Sequence, residues 1–192
     1  MVESIEKIEA YLKLLQKWNR VYNLTAVREV GEMRTYHIND SLAIAPFIPD
    51  DAKEILDVGT GAGLPGLVLA IQFPDKHFTL LDSNSKKTAF LQECVRQLTL
   101  TNVSIRCEYL EKTPSLQTSL AADIVISRAF SSLCDFIALA SPHLKKTGAL
   151  YAMKGPKVLE ELKSQALPYR LEPVNVPGLN EQRYLVILRP KT

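Results

Sequence analysis

A chain of 192 residues is long enough for one sizeable hydrophobic core and too short for two full domains. Hydrophobic residues make up 46% and charged residues 23%, which excludes disordered and fibrous classes, and no apolar run reaches the roughly 18 residues of a membrane span. The net charge of +2, from 23 bases and 21 acids, neither demands nor excludes a nucleic-acid partner, because a local basic face matters more than the total.

The N-terminal residues carry early acids and no apolar h-region, so no signal peptide is expected. Ile5, Ile8, Leu12, Leu15, Trp18 and Tyr22 recur every three or four residues, the stripe of an amphipathic helix whose apolar side, including Trp18 and Tyr22, is expected in the core. A turn near Asn23-Leu24-Thr25 precedes a second helical stretch from about Glu32 to Ala45, closed by Pro46 and Pro49. Residues 1–50 thus read as a small helical extension.

From residue 51 the pattern becomes strand, turn, helix, repeated. Ile55–Val58 is a buried strand, then a glycine turn and an apolar helix through Leu67–Ile71. Phe78–Leu81 is a second strand with a helix over Ser83–Leu98, and Val103–Cys107 is a third strand. Ile124–Ser127 is a fourth strand with a helix from about Ser131 to Leu144, and Ala149–Met153 a fifth with a helix over Val158–Ala166. Tyr169–Val176 and Arg183–Leu188 flank Pro177-Gly178-Leu179-Asn180 and read as a hairpin. Alternation of β and α implies right-handed crossovers and a doubly wound, mostly parallel α/β sheet with an antiparallel C-terminal edge, one compact domain over 51–192. Cys94, Cys107 and Cys134 are odd in number and show no CxxC spacing, so neither a disulfide framework nor a zinc site is expected, and a reducing cytoplasm is.

Ligands of an open parallel sheet sit beyond the strand carboxyl ends, and Asp57-Val58-Gly59-Thr60-Gly61-Ala62-Gly63 occupies that place after the first strand. The spacing is GxGxG and not the dinucleotide GxGxxG. A phosphate-binding loop, an S-adenosylmethionine loop and a purely structural turn all remain open on the glycines alone. Asp57 suits a cationic amino acid moiety, and Asp82, at the end of the second strand, suits a pair of ribose hydroxyls; together they favour S-adenosylmethionine over NAD.

Trp18-Asn19, Tyr22-Asn23-Leu24-Thr25, His37-Ile38-Asn39-Asp40-Ser41, Leu56 through Gly66, Leu81-Asp82-Ser83, Ser127-Arg128-Ala129-Phe130 and Lys154-Gly155 occur in an order and spacing that closely resemble the RsmG (GidB) family of bacterial methyltransferases. The resemblance runs from about Tyr11 to Ile187 and implies the class I, Rossmann-like methyltransferase fold. It implies methyl transfer from S-adenosylmethionine to N7 of one guanosine in the decoding region of 16S rRNA. It also implies that Gly59, Leu64, Leu110, Glu111 and Arg128 line the cofactor site, beside Asp57, Gly61, Gly63 and Asp82 from the loop reading. One position departs from the pattern: the family places Arg before the histidine of its HxxDS block, and Tyr36 stands here.

Arg128, at the end of the fourth strand, is expected to act by charge and positioning. His37 and Asp40 are candidates for substrate contact, weighed against an Asp–His pair that ties the N-terminal helices down. Lys86 and Lys87, at a helix start near the crevice, are candidates for RNA phosphate contact, weighed against a solvated helix start. Guanine N7 carries a lone pair and no proton, so no general base is expected; the strand also lacks the Asn/Asp-Pro-Pro-aromatic run of exocyclic-amine methyltransferases. The expected partner is 16S rRNA within the small ribosomal subunit or its precursor, met by a monomer with no metal and no membrane. A small-molecule methyltransferase and a non-catalytic RNA-binding assembly factor are the competing readings.

Overall fold

A computed structural model describes residues 2–110, 119–128, 130 and 132–190. Helix α1 (Val2–Tyr22) buries Ile8, Tyr11, Leu12, Leu15 and Asn19, one side of its middle turns. The ends of the expected stripe, Ile5 and Tyr22, are 57% and 43% exposed, because the apolar layer underlies only the middle of the helix. The second helical stretch is not one α-helix. It runs as α2 (Val30–Met33), a π-helical turn over Arg34–Asn39, and α3 (Asp40–Leu42), and a π turn alters which side chains share a face.

The remaining elements are β1 (Glu54–Val58), α4 (Gly66–Gln72), β2 (His77–Leu81), α5 (Ser85–Gln97), β3 (Val103–Arg106), β4 (Ala122–Ser127), α6 (Leu133–Ala140), β5 (Leu144–Lys154), α7 (Val158–Leu162), β6 (Tyr169–Val174) and β7 (Arg183–Leu188). The sheet order is β3-β2-β1-β4-β5-β7-β6. β1 to β5 pair in parallel, while β7 is antiparallel to both β5 and β6, so the C-terminal hairpin closes one edge as expected.

Strand side chains alternate between faces. Ile55, Phe78, Leu80, Ile126, Tyr151 and Met153 meet the N-terminal helices and α4 and α5 in one apolar cluster. Leu56, Val58, Leu81, Val125, Leu150 and Ala152 form a second cluster with α6 and α7. Burial on both faces is why the parallel strands read as continuous apolar runs.

Two helices are shorter than the sequence pattern implies. α6 ends at Ala140, where a 3₁₀ turn over Ser141–His143 takes in Pro142, whose ring cannot continue the helix. α7 ends at Leu162. α5 begins one residue after Asn84, whose side chain caps it by accepting from the amides of Lys86 at 2.9 Å and Lys87 at 3.4 Å.

Candidate active site

The glycine loop leaves β1 at Val58 and is pinned to the neighbouring strand, with Gly59 and Thr60 amides donating to the Leu81 carbonyl at 2.9 and 3.1 Å. Gly59 has φ +68°, a left-handed conformation that costs a side chain, and a Cβ there would meet nothing within 4 Å. Gly66 is required for the opposite reason: a Cβ would lie 2.4 Å from Leu80 Cδ2 and 2.6 Å from Asp57 Oδ2. Gly61 and Gly63 also have positive φ, and Pro65 stands just before α4 rather than in its first turn.

Asp57 does not offer its carboxylate to an open crevice. It is fully buried, and Oδ2 accepts from Thr60 Oγ1 at 2.6 Å and from the Gly66 amide at 2.8 Å. Oδ1 has no hydrogen-bond partner. Burial pushes the Asp57 carboxyl up to about 6, against the pull of those two hydrogen bonds. Asp57 thus shapes and braces the loop from beneath through Oδ2, while Oδ1 is left without a partner. A second brace was invisible in the sequence. Tyr11 of α1, fully buried, donates its hydroxyl to the Ala62 carbonyl at 2.8 Å and ties the N-terminal helix to the loop.

On one side of the loop lies a cavity of about 350 Å³ walled by Gly59, Asp82, Lys87, Leu110, Phe130 and Leu139. Asp82 closes it with both oxygens engaged: Oδ2 accepts from the Gly61 amide at 2.9 Å and Oδ1 from the Asn84 amide at 2.9 Å. Lys87 Nζ stands 3.6 Å from Asp82 Oδ2 and lines this cavity; Lys86 is exposed beside it and lines no described cavity. Leu110 is in place, whereas Glu111 lies outside the described residues. Leu64 is buried beneath the loop with its amide on the Thr60 carbonyl and does not line the cavity. A carboxylate at the rim and an apolar floor fit a ribose and an adenine.

A second cavity, of about 340 Å³, is lined by Tyr36, His37, Asp40, Arg128, Lys154 and Arg183. Arg128 therefore faces this second cavity and not the ribose side. Its Nη1 donates to the Tyr36 carbonyl at 3.0 Å and to Asp40 Oδ2 at 3.1 Å. Arg183 of β7 approaches the other Asp40 oxygen at 3.4 Å, so one carboxylate of 4% exposure sits between two guanidinium groups. The alternative of an Asp–His pair is not what forms: His37 Nε2 meets Thr25 Oγ1 at 2.9 Å, and Nδ1 is sealed without a partner. Burial holds His37 below the ordinary histidine range, and the nearby Arg128 charge adds to this. Lys154 donates to the Phe130 carbonyl at 3.1 Å and pairs with Glu161, whose other contact is the Leu133 amide at the start of α6.

The sequence model of GidB, described as rRNA small subunit methyltransferase G, matches residues 4–186. The chain belongs to the GidB family. A GidB relative named Ribosomal RNA small subunit methyltransferase G, from Marinomonas sp. (strain MWYL1), is 47% identical over 98% of this chain and 90% of its own length. Another of that name, from Laribacter hongkongensis (strain HLHK9), is 44% identical over 93% of this chain and 85% of its own. Among solved structures, a SAM-dependent methyltransferase from Aquifex aeolicus superposes with TM-score 0.60 at 18% identity, over 82% of this chain and 93% of that one. M. jannaschii TYW2 in complex with AdoMet superposes with TM-score 0.54 at 17% identity, over 78% of this chain and 72% of that one. These distant likenesses carry the class I methyltransferase fold that GidB members are expected to share.

Proposed function

We propose that this chain transfers a methyl group from S-adenosylmethionine to N7 of one guanosine in the decoding region of 16S rRNA, acting as a cytoplasmic monomer on the small ribosomal subunit or its precursor. Family membership carries the coarser part, methylation of small-subunit rRNA with S-adenosylmethionine as donor. The residues present fit that donor: Asp82 would hold the ribose hydroxyls, Leu110, Phe130 and Leu139 would take the adenine, and the braced loop leaves room over Gly59. Asp57 Oδ1 is an unsatisfied oxygen beneath the point where a cationic amino acid moiety would lie.

The observation that favours N7 is that, among the described residues lining the second cavity, His37, Asp40 and Lys154 are each already engaged by another group. His37 is sealed and held by Thr25, Asp40 is clamped by two arginines, and Lys154 is ion-paired to Glu161. Guanine N7 has a free lone pair and needs no base. The bound donor supplies a sulfonium methyl already activated for transfer, so the chain has chiefly to align two partners and keep water out. Arg128 fixes the wall of the acceptor cavity through Tyr36 and Asp40, and the Asp40 carboxylate offsets the cations around a base that gains charge on methylation.

The test is a single-turnover rate profile on small subunits. The rate should be nearly flat over roughly pH 6–9. His37→Asn should slow it modestly through geometry, and Arg128→Ala should slow it far more. A steep rise with pH that disappears in His37→Asn would reveal a working base and a protonated acceptor in place of N7.

A further inference from the structure

Tyr36 is 43% exposed, the most open of the described residues lining the second cavity. Arg128 holds its carbonyl and leaves its side chain free. The Tyr36 hydroxyl has no hydrogen-bond partner among the described residues.

The backbone around it is fixed from three directions. Arg128 Nη1 donates to the Tyr36 carbonyl at 3.0 Å, Thr25 Oγ1 meets His37 Nε2 at 2.9 Å, and Asn39 donates to the Pro177 carbonyl at 3.0 Å. Side chains four apart on the π turn share a side. Thr35 and Asn39 meet the turn between β6 and β7, where a Cβ on Gly178 would lie 3.3 Å from Thr35 Oγ1. Tyr36 and Asp40 are the next such pair, and Asp40 turns to the cavity, held there by Arg128 and Arg183. The Tyr36 side chain therefore stands on the cavity side, one turn before Asp40, at the open lip.

Methyl transfer changes the charge of a guanine lying there. The N7 lone pair forms the new N–C bond, and the C–S bond breaks with its electron pair left on sulfur. The positive charge passes from the sulfonium to the purine ring, and no proton moves. A purine that becomes cationic is drawn to the negative face of an aromatic ring, and the attraction grows as the transfer proceeds. The cavity's charged groups give no such gain: Asp40 is shared by Arg128 and Arg183, and Lys154 is paired with Glu161. A base taken out of its stack into an enzyme cavity also loses its neighbours, which an aromatic side chain replaces. An interaction stronger in the transition state than in the ground state raises the rate as well as the affinity.

We propose that the Tyr36 ring stacks on the target guanine and attracts it more strongly as the base is methylated. This deepens the reading of the second cavity as the site of the N7 acceptor, and rests on it.

The experiment is single-turnover methylation of small subunits by wild type, Tyr36→Phe, Tyr36→Trp and Tyr36→Leu. It separates the saturating rate from the half-saturating subunit concentration, with cofactor Kd and melting temperature as controls. Phe and Trp should keep the saturating rate within about threefold of wild type. Tyr36→Leu keeps apolar bulk without a π face and should lower that rate about tenfold or more, with both controls unchanged. Phenylalanines bearing one to three ring fluorines at position 36 drain the π face while nearly keeping its shape. The saturating rate should fall stepwise along that series, which a merely structural residue would not produce. A Leu variant as fast as wild type, equal losses in all three variants, or a flat fluorine series would each overturn the role of the ring. Wild type that leaves small-subunit rRNA unmethylated would overturn the acceptor reading, and the role of the ring with it.

Discussion

Asp57→Asn probes the loop directly. The wild-type carboxyl is raised to about 6, by burial first, so protonation favours the folded state over an unfolded chain in which the group titrates near its ordinary value. Below about pH 4 the group is protonated in both states. As pH rises through 4 to 6 the folded state must either keep a proton that the unfolded state has lost or bury a charge, and stability falls. With roughly two units between the two values, the loss is about 3 kcal/mol. Asparagine keeps an oxygen for Thr60 and Gly66 but sets an amide group where Oδ1 has no partner, a penalty of about 1–3 kcal/mol that does not vary with pH. Urea unfolding of both proteins from pH 4 to 7.5 isolates the effect, because every other titrating group cancels in the difference. The wild-type stability minus that of Asp57→Asn should fall by about 3 kcal/mol over this range, most of it by pH 6. A difference that stays level, or that grows with pH, would show the carboxylate to be ordinary or favourably ionised and would refute the account of the loop. A cation bound above Oδ1 favours the ionised form, so cofactor affinity should also weaken below pH 6 in wild type and stay level in the variant.

Three further outcomes follow from the same geometry. Gly66→Ala must displace Leu80 or Asp57 and should lose about 1–3 kcal/mol of stability by thermal or urea unfolding, whereas Gly59→Ala, with open space around it, should lose only about 1–2 kcal/mol from its positive φ and lose cofactor binding by calorimetry. Asp82→Ala should weaken S-adenosylmethionine binding by about 1.5–3 kcal/mol, roughly 10- to 150-fold, measured by calorimetry with the melting temperature as control. Tyr11→Phe leaves the buried Ala62 carbonyl unpaired and should cost about 1–3 kcal/mol of stability together with a higher Kd for the cofactor, so an unchanged Kd would separate the N-terminal helix from the loop.

The order of strands and helices was legible because buried parallel strands announce themselves as short apolar runs, and the glycine spacing with Asp82 pointed to the cavity where the cofactor is proposed to lie. What the sequence concealed depends on contacts between distant elements. The π turn at Arg34–Asn39 leaves no periodic signature, so His37 and Asp40 could be paired on paper while the structure gives one to Thr25 and the other to Arg128 and Arg183. Arg183 lies in the terminal hairpin and looked like one more strand residue until β7 brought it beside Asp40. Lys86 and Lys87 are adjacent in sequence, yet the start of α5 points Lys87 at Asp82 and leaves Lys86 at the surface, so Lys86→Glu alone is the RNA probe and a double reversal would also disturb the cofactor cavity. Asp57 announced an acid before the glycines, but only the packing of Gly66 against it shows that the carboxylate is sealed.

The most direct measurement is to incubate the protein with small ribosomal subunits and methyl-labelled S-adenosylmethionine, then map the label on 16S rRNA by borohydride reduction and aniline cleavage, which cuts the chain at N7-methylated guanosine. The account predicts label in 16S rRNA and a new cut at one guanosine of the decoding region, lost in Asp82→Ala. Label confined to a small-molecule fraction, or label in rRNA that resists cleavage, would contradict it.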